Sequence, residues 1–270
     1  MPREEVDGLS RVAQVKFAGY EKSVFRALDL IGAKELLPSD GLIILKPNLT
    51  NTSLPPVTTS VRFVGAVFDY CSRHTSARLA IGEGSGSGGT FDAFSALGYT
   101  EYARTAGIPL LDFNSEKSVI LSRKDTLHLR EFHIPEKVKD AFVISLPVLK
   151  DHSFTKTTIA MKNMFGIAPA PFYRGSWNKS CLHTPSTHWS VVDVCLYKRP
   201  ALCVVDASVA LCGSHLAGVP RALGVILAGA DPVAVDAVGS ALLGHDPGKI
   251  EYLARANGIL GSTEGIQIVS

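Results

Sequence analysis

The sequence predicts an α/β fold, a mostly parallel β-sheet with helices on both faces, and two patterns lead to this prediction. Short continuous apolar runs recur along the chain, which is typical of strands covered on both faces. Segments with helical periodicity lie between these runs, and such alternation favours parallel strands joined by crossover helices. The 270 residues show no shift of composition that would mark a domain boundary. We therefore interpret residues 1–270 as a single α/β domain.

Each predicted strand is a run rich in β-branched or aliphatic residues. In order, the strands are residues 12–17, 41–46, 78–82, 109–113, 141–146, 201–206 and 223–228. Helical periodicity predicts helices between them, at residues 22–31, 60–73, 91–106, 190–197 and 233–243. The last helix also has a start signal, because Asp231 and Pro232 are favourable residues at the N-cap and first helical positions.

Two segments depart from this alternation. Residues 116–139 contain short alternating pieces, at 118–122 and 126–132, which predict a small antiparallel hairpin at an edge of the sheet. Residues 168–187 contain several prolines and few periodic apolar positions. We expect a long ordered loop there, and loops of that length often carry function.

The overall charge identifies no partner. A net charge of +2 is too small to indicate binding to nucleic acid or to a membrane surface, so we expect neither partner. Charged residues make up 19% of the chain, below the roughly 25% of an average soluble protein. This low fraction indicates extensive buried surface and leaves a homo-oligomer open as an alternative.

The cysteines and the apolar stretches favour a cytoplasmic protein. Five cysteines are widely spaced and form no C-x-x-C pair, unlike a disulfide framework. No apolar signal core follows residues 1–5, and the longest apolar-rich stretch, residues 223–244, is interrupted by two aspartates and a proline. We therefore expect neither a signal peptide nor a membrane span.

Charge is distributed unevenly along the chain. Residues 146–192 contain five basic residues against one aspartate, whereas residues 200–247 contain one arginine against four aspartates. The basic segment is also rich in hydroxyl, amide and imidazole groups, which together suit a phosphate or carboxylate ligand. A solvated surface with chance clustering is the alternative interpretation.

The residues that follow the strand at 141–146 strengthen the anion-binding hypothesis. Polar groups crowd the region beyond the carboxyl end of this strand, where ligands bind in open α/β sheets. If residues 155–165 form a helix, one of its faces carries Thr155, then Thr158 or Ile159, and then Lys162.

Here the sequence resembles the uncharacterised family called domain of unknown function 362. The most specific elements are Lys150-x-His152, then Thr155, Thr158 and Lys162-Asn163-x-x-Gly166. Further matching elements cover nearly the whole chain: Lys46-Pro47-Asn48-Leu49, Thr59, Gly82-Glu83-Gly84, His183, Val204-Val205-Asp206 and Ala228-Gly229-x-Asp231-Pro232-x-Ala234-x-Asp236. Residues 212–218 depart from the pattern, because many members have a Gly-Pro-rich loop there.

The resemblance implies an association with redox or cofactor metabolism. Many members of the family carry, or are encoded beside, ferredoxin-type iron–sulfur modules. This chain has no C-x-x-C-x-x-C run and so lacks the ligands of a ferredoxin-type cluster. An accessory protein that acts with a ferredoxin-type partner is therefore one alternative function.

A glycine-rich loop supports a second alternative. Gly84-Ser85-Gly86-Ser87-Gly88-Gly89 matches G-x-G-x-x-G between a predicted strand and a predicted helix, and Asp112 ends the next strand. This is the pattern of an NAD(P)- or flavin-dependent oxidoreductase. Against it, a glycine-rich loop meets the pattern easily, and this unit is not the first of the chain.

Metal ligands are sparse. Cys181, His183 and His188 lie close together but match no known zinc spacing. Asp206 ends its strand and Asp236 is a carboxylate in an otherwise apolar helix, so these two are the candidates for a divalent metal. Alternatively, Asp236 could be partnered by a lysine and Asp206 could serve a turn.

The function that the sequence predicts best is binding of a small anionic metabolite or cofactor, of unknown identity, by an enzyme or enzyme-like subunit. The cleft would lie at the carboxyl ends of the strands. His152 and His183 are candidate acid–base groups because histidine titrates near neutral pH, and Glu83 is the third candidate catalytic group. The candidate ligand-binding residues are Lys46, Asn48, Thr59, Lys150, Thr155, Thr158, Lys162 and Asn163.

Overall fold

The computed structural model describes residues 9–270, and a ten-stranded sheet organises this part of the chain. The segment after Met1, on which the expectation of no signal peptide depends, lies largely outside the described residues. The strands in chain order are β1 (Ser10–Lys16), β2 (Leu42–Pro47), β3 (Arg78–Glu83), β4 (Leu110–Asp112), β5 (Ser118–Ser122), β6 (Glu131–Pro135), β7 (Phe142–Leu146), β8 (Val148–His152), β9 (Lys156–Thr158), β10 (Leu202–Cys212), β11 (Val219–Gly229) and β12 (Ile266–Val269).

Helices connect most of these strands. They are α1 (Tyr20–Leu30), α2 (Ala33–Leu36), α3 (Val61–His74), α4 (Thr90–Ala96), α5 (Tyr99–Ala106), α6 (Glu136–Lys139), α7 (Ala160–Asn163), α8 (Ala170–Tyr173), α9 (Thr187–Tyr197), α10 (Pro232–Leu243) and α11 (Glu251–Ala256). Short 3-10 turns occur at Met164–Ile167, Ser180–His183 and Pro247–Lys249. Within the described residues, no helix is long and apolar enough to cross a membrane.

The predicted mostly parallel sheet is confirmed. Its strand order is β12-β1-β11-β10-β7-β2-β3-β4, and β8 pairs with β10 and β9. From β10 to β4 every neighbouring pair is parallel, whereas β11 runs antiparallel to both β1 and β10. β10 and β11 are each eleven residues long and form one hairpin, so both extend beyond the predicted strands.

Helices cover both faces of the sheet, as predicted. Along β2, Ile43 and Leu45 belong to the apolar core that includes Val24 of α1 and Phe63 of α3. Ile44, between them, belongs to the core on the other face. Because successive side chains of a strand point to opposite faces, burial on both sides explains the continuous apolar runs of the sequence.

The predicted hairpin exists, but its position and second strand differ from the prediction. β5 and β6 pair antiparallel in a two-stranded sheet of their own, separate from the large sheet. The second strand begins at Glu131, because the backbone N–H groups of residues 127–129 instead donate to the buried Asp193 carboxylate. The predicted long loop at 168–187 is ordered and contains α8 and a 3-10 turn.

One helix that was considered only conditionally does not form, and one predicted helix is broken. Residues 155–165 do not form one helix: β8 and β9 make a tight hairpin in which Lys156 has φ of 65°, and α7 begins only at Ala160. The predicted helix 91–106 is broken at Gly98, whose φ of 80° lies in the left-handed region that favours glycine. In both places the backbone makes a turn that the spacing of apolar residues in the sequence does not reveal.

Candidate functional site

A cavity of about 380 Å³ lies beyond the carboxyl ends of β2 and β3. It is enclosed by the loops after these strands, the β8–β9 hairpin, α7, the 174–183 segment and the loop after β10. Its volume is at the lower end of the range for small-molecule sites, roughly 300–1,000 Å³. The charged and ring-bearing residues that line it are Glu83, Lys150, His152, Lys162, Phe165, Trp177, Lys179, His183 and His215.

Lys46 and Glu83 form a buried ion pair at the base of the cavity. Lys46 Nζ lies 3.0 Å from Glu83 Oε2 and donates to the Pro47 carbonyl at 2.9 Å. The Glu83 carboxylate also accepts the backbone N–H groups of Leu49 and Gly84, at 3.0 and 2.8 Å. Both Glu83 oxygens are thus engaged, so this side chain neutralises Lys46 and holds together the loops that follow β2 and β3.

Two asparagines connect the ion pair to the cavity wall. Asn163 Oδ1 accepts from Lys46 Nζ and from Asn48 Nδ2, each at 3.2 Å. Asn48 Oδ1 accepts from Lys150 Nζ at 2.6 Å, and this ammonium also donates to the Val57 carbonyl at 2.8 Å. One continuous network therefore positions residues from three distant parts of the chain.

Two further lysines are buried in the wall. Lys162 Nζ lies 3.6 Å from the centroid of the Phe165 ring, and it makes no hydrogen bond to any residue in the 9–270 range. Lys179 Nζ donates to the carbonyl of Gly84 and to those of Phe165 and Gly166, at 3.3 and 3.2 Å. Lys162 is therefore the ammonium with the most unused donor capacity.

Burial lowers the pKa of these lysines. It lowers the pKa of Lys150 to about 7, although Glu83 opposes the shift. Burial, with the positive charges of Lys150 and Lys179, lowers the pKa of Lys162 to about 7, and burial does the same for Lys179. Because Glu83 is already paired with Lys46, the cavity is electropositive, and an anion within it would raise these pKa values.

Three histidine rings complete the wall. The rings of His152 and His215 stack with centroids 4.0 Å apart, and His152 Nδ1 accepts the N–H of Phe154 at 3.0 Å. Burial and nearby lysine charge lower the pKa of His152, and lower those of His183 and His215 to about 4. These shifts favour the neutral form of all three rings at pH 7, and an anion in the cavity would shift them toward protonation.

Thr158 presents an unpartnered hydroxyl at the wall. The residue lines the cavity and is only 5% exposed. Its Oγ1 atom is buried and has no hydrogen-bond partner among the residues that the structure describes. Because leaving a buried hydroxyl unpaired costs about 1–3 kcal/mol, this position favours a polar ligand atom.

Two glycines allow these groups to pack closely. A Cβ atom at Gly166 would collide with the Glu83 carboxylate and the Lys46 ammonium. A Cβ atom at Gly84 would lie 2.6 Å from the Gly166 carbonyl oxygen and 3.0 Å from Lys179 Nζ. Neither position has room for a side chain, which explains why glycine follows Asn163 at this spacing.

Most residues singled out in the sequence meet at this cavity. Those lining it are Asn48, Glu83, Lys150, His152, Thr158, Lys162, Asn163 and His183. Thr59 lies behind it, where its hydroxyl donates to the Leu146 carbonyl and accepts the Asn48 N–H, both at 2.8 Å. Thr155 is buried in the β8–β9 turn and donates to the Thr157 carbonyl. Lys46 also lies behind the wall, as part of the ion pair.

The two aspartates considered as metal ligands do not line the cavity. Asp206 accepts the Tyr20 hydroxyl at 2.8 Å. Asp236 accepts the Ala160 N–H at 2.8 Å and the Tyr252 hydroxyl at 3.0 Å, so its partners are not lysines. Across residues 9–270, no group of three or more His, Cys, Asp or Glu side chains is placed to hold a metal ion.

The glycine-rich loop after β3 forms part of the wall. Gly86, Ser87 and Gly88 line the cavity, and the Ser87 N–H donates to the Thr50 carbonyl at 2.9 Å. Asp112 ends β4 beside β3, but its carboxylate accepts from groups two and three residues further along its own turn. The loop, but not Asp112, is therefore part of the site.

Sequence reasoning missed several lining residues, among them Phe165, Trp177, Lys179 and His215. Lys179 contributed to the basic charge of its segment, but no motif distinguished it. His215 lies in the loop that departs from the family pattern, and that departure was its only signal.

Comparisons with known proteins identify the family of this chain. A family model described as Domain of unknown function (DUF362) matches residues 43–241, a range that includes every lining residue of the cavity. A thylakoid-associated protein of Synechocystis sp. is 25% identical over 217 residues, which is 78% of this chain and 66% of that protein. The chain thus spans about two thirds of the length of that relative. Since the family match covers well over half of the chain, this protein belongs to the DUF362 family.

Proposed function

We propose that this protein binds a small anionic metabolite or cofactor, phosphate- or carboxylate-bearing, in the lysine-lined cavity and acts on it as an enzyme or enzyme-like subunit. The observation that carries the proposal is the charge imbalance: four buried lysines, Lys46, Lys150, Lys162 and Lys179, share one carboxylate, Glu83. Buried charges need partners. An anion supplies partners for the three lysines that Glu83 does not neutralise.

The other polar groups suit the same ligand. The Thr158 hydroxyl is unpartnered, and the ammonium of Lys162 has donors to spare. His152 accepts the Phe154 N–H at Nδ1, so its neutral ring carries its proton on Nε2 and serves as a donor. His183 is then the better acid–base group, with Nδ1 3.1 Å from the Thr187 hydroxyl.

Thermal denaturation tests the proposal directly. Inorganic phosphate, pyrophosphate, oxalate and citrate are added separately, and we expect at least one of them to raise Tm. Lys162→Met should abolish this rise because it removes the ammonium with the most unused donor capacity. Lys249→Met is the matched control, since the Lys249 side chain is 85% exposed and its ion pair is with Asp246. An unchanged rise in Lys162→Met would contradict the proposal.

One observation favours the oxidoreductase alternative as a second candidate. Gly86, Ser87 and Gly88 line the same cavity as the lysines, so a dinucleotide could place its pyrophosphate against both. NAD(H), NADP(H) and FAD are therefore included in the thermal series, and stabilisation by one of them, but not by the simple anions, would favour this candidate. The ferredoxin-linked accessory role stays a prediction, tested by the absorption spectrum of protein purified without oxygen.

We also propose a cytoplasmic location. All five cysteines are free thiols, which suits a reducing compartment. The relative from Synechocystis is named for its association with thylakoids, so fractionation of the native host into soluble and membrane pools is the appropriate test. Recovery in the membrane pool would contradict the proposal.

A further inference from the structure

Two exposed aromatic side chains lie beside the anionic site. Trp177, which lines the cavity, is 53% exposed, and Phe154 is 54% exposed. Their ring centroids lie 6.0 and 5.3 Å from that of His183, which also lines the cavity. An apolar and aromatic surface therefore adjoins the buried lysines.

Both aromatic residues are held by the same contacts that shape the site. The Trp177 carbonyl accepts the N–H groups of Gly175 and Ser180, at 3.3 and 3.1 Å. Two residues after Trp177, Lys179 is anchored to the carbonyls of Gly84 and Gly166. Phe154 is fixed by its own N–H, which donates to His152. The wall itself thus anchors the backbone of both residues beside the cavity.

The exposed Trp177 and Phe154 rings suit a ligand that itself carries an apolar or aromatic group. Exposed aromatic surface at a pocket is typical of ligand contacts, because rings bury large apolar area and stack on other rings. The face of the deeper ring, Phe165, is already covered by the Lys162 ammonium. Within residues 9–270 no cation lies over the Trp177 or Phe154 ring, and the His183 ring neighbours both.

We propose that the ligand carries an aromatic or heteroaromatic ring joined to its anionic group, and that the ring packs against Trp177, Phe154 and His183 while the anion meets the lysines. This inference rests on the proposed function, since it extends the same site toward its mouth. The ligand class is then an aryl or heterocyclic phosphate or carboxylate.

Matched ligand pairs test the ring separately from the anion. Calorimetry compares phenyl phosphate with methyl phosphate, and phenylsuccinate with succinate. We expect the phenyl member of at least one pair to bind about tenfold more tightly, the effect of one favourable stacking contact. In Trp177→Ala and Phe154→Ala the ratio of the alkyl Kd to the phenyl Kd should fall towards one. In Trp177→Phe, which keeps an aromatic ring, the ratio should stay close to the wild-type value.

The control variant is Phe91→Ala, because Phe91 is as exposed as Phe154 but packs against Phe94 on α4. It should keep the wild-type ratio. A second readout uses Trp189→Phe, which leaves Trp177 as the sole tryptophan. Phenyl phosphate or phenylsuccinate should then quench its fluorescence, whereas the alkyl ligands should not.

The outcomes separate this inference from the proposed function. If the phenyl and alkyl members bind with equal affinity in every pair that binds, the anion site stands and the ring inference is overturned. If no member of either pair binds although one of the anions of the thermal series raises Tm, the ring inference is overturned and the anion site stands. If none of these ligands binds, the proposed function itself fails. An unchanged ratio in both Trp177→Ala and Phe154→Ala also overturns the inference.

Discussion

At the residue scale, the protonation of the cavity lysines affects both the free energy of unfolding and the proposed binding of an anion. Burial lowers the pKa values of Lys150, Lys162 and Lys179 to about 7, whereas an unfolded lysine titrates at about 10.4. Between these pKa values the unfolded chain binds more protons than the folded chain. The free energy of unfolding therefore increases as pH rises through this range, and this gain is lost as pH falls toward 7. Binding of the proposed anion among these lysines would offset this cost.

Anion affinity should therefore decrease as pH rises above 7. Deprotonated lysines attract the anion less, and an anion whose charge is constant over this range, such as oxalate, isolates their contribution. Isothermal titration calorimetry between pH 6 and 9 measures Kd, and buffers of different ionisation enthalpy should reveal proton uptake on binding. Lys249→Met should keep the wild-type pH dependence. A Kd for oxalate that does not change with pH would contradict the assignment of these lysines.

Gly166→Ala should disrupt the site through packing alone. The added methyl group meets the Glu83 carboxylate and the Lys46 ammonium, and overpacking of this kind costs about 1–3 kcal/mol. Urea denaturation should show that loss in the free energy of unfolding. Gly248→Ala is the control, since its Cβ would meet only Asp246 Oδ1 at 3.4 Å, and it should have a much smaller effect.

At the element scale, α7 is positioned by its contact with α10. The Asp236 carboxylate on α10 accepts the Ala160 N–H at 2.8 Å and lies 3.3–3.4 Å from the Met161 N–H. These are the first amides of the short helix that carries Lys162 and Asn163. Burial raises the pKa of Asp236 to about 7, while the Tyr252 hydroxyl and these amides favour its charged form.

Asp236→Asn should therefore weaken both the fold and the site. The amide retains one acceptor oxygen and loses a charge-assisted bond, which predicts a loss of about 1–3 kcal/mol in the free energy of unfolding. Because α7 shifts, oxalate should also bind more weakly. Asp140→Asn is the control, since the Asp140 side chain is 83% exposed. Wild-type stability in Asp236→Asn would show that the carboxylate does not hold α7.

At the scale of the whole molecule, the sheet is most deeply buried at its centre. β2 and β7 each have a paired strand on both sides, and the residues Ile43, Ile44 and Val143 are almost completely buried. At the periphery, β12 is an edge strand with Ile268 55% exposed, and the loop 213–218 between β10 and β11 is partly exposed. Resistance to local opening should follow this gradient.

Hydrogen exchange should reveal the same order. The amides of 43–46 and 142–146 should exchange slowest, near the rate set by global unfolding, whereas those of 213–218 and 266–269 should exchange fastest. Mass spectrometry of peptides after timed labelling measures this. Rapid exchange in β2 or β7 would contradict the described topology.

Much of the fold was predictable from patterns that burial imposes directly. The apolar runs predicted the parallel strands, because a strand covered on both faces has no polar alternation. The predicted helix at 91–106 is broken and the helix considered at 155–165 does not form, because the backbone turns at Gly98 and Lys156 without changing the side-chain periodicity. β10 and β11 are longer than predicted, because their outer halves pair with each other and need no continuous apolar run.

The sequence by itself determined the class of fold and the residue types of the site: Lys150, His152, Lys162 and Asn163 follow a strand, and strand ends meet at one edge of a sheet. Only the tertiary structure decided which side chains face the cavity. It placed Thr59 behind the wall, engaged Asp236 with α7, and brought Lys179, His215 and Trp177 from separate loops to the lysines. Those placements depend on loop conformation and on contacts between residues far apart in the sequence, which no periodic pattern in the sequence indicates.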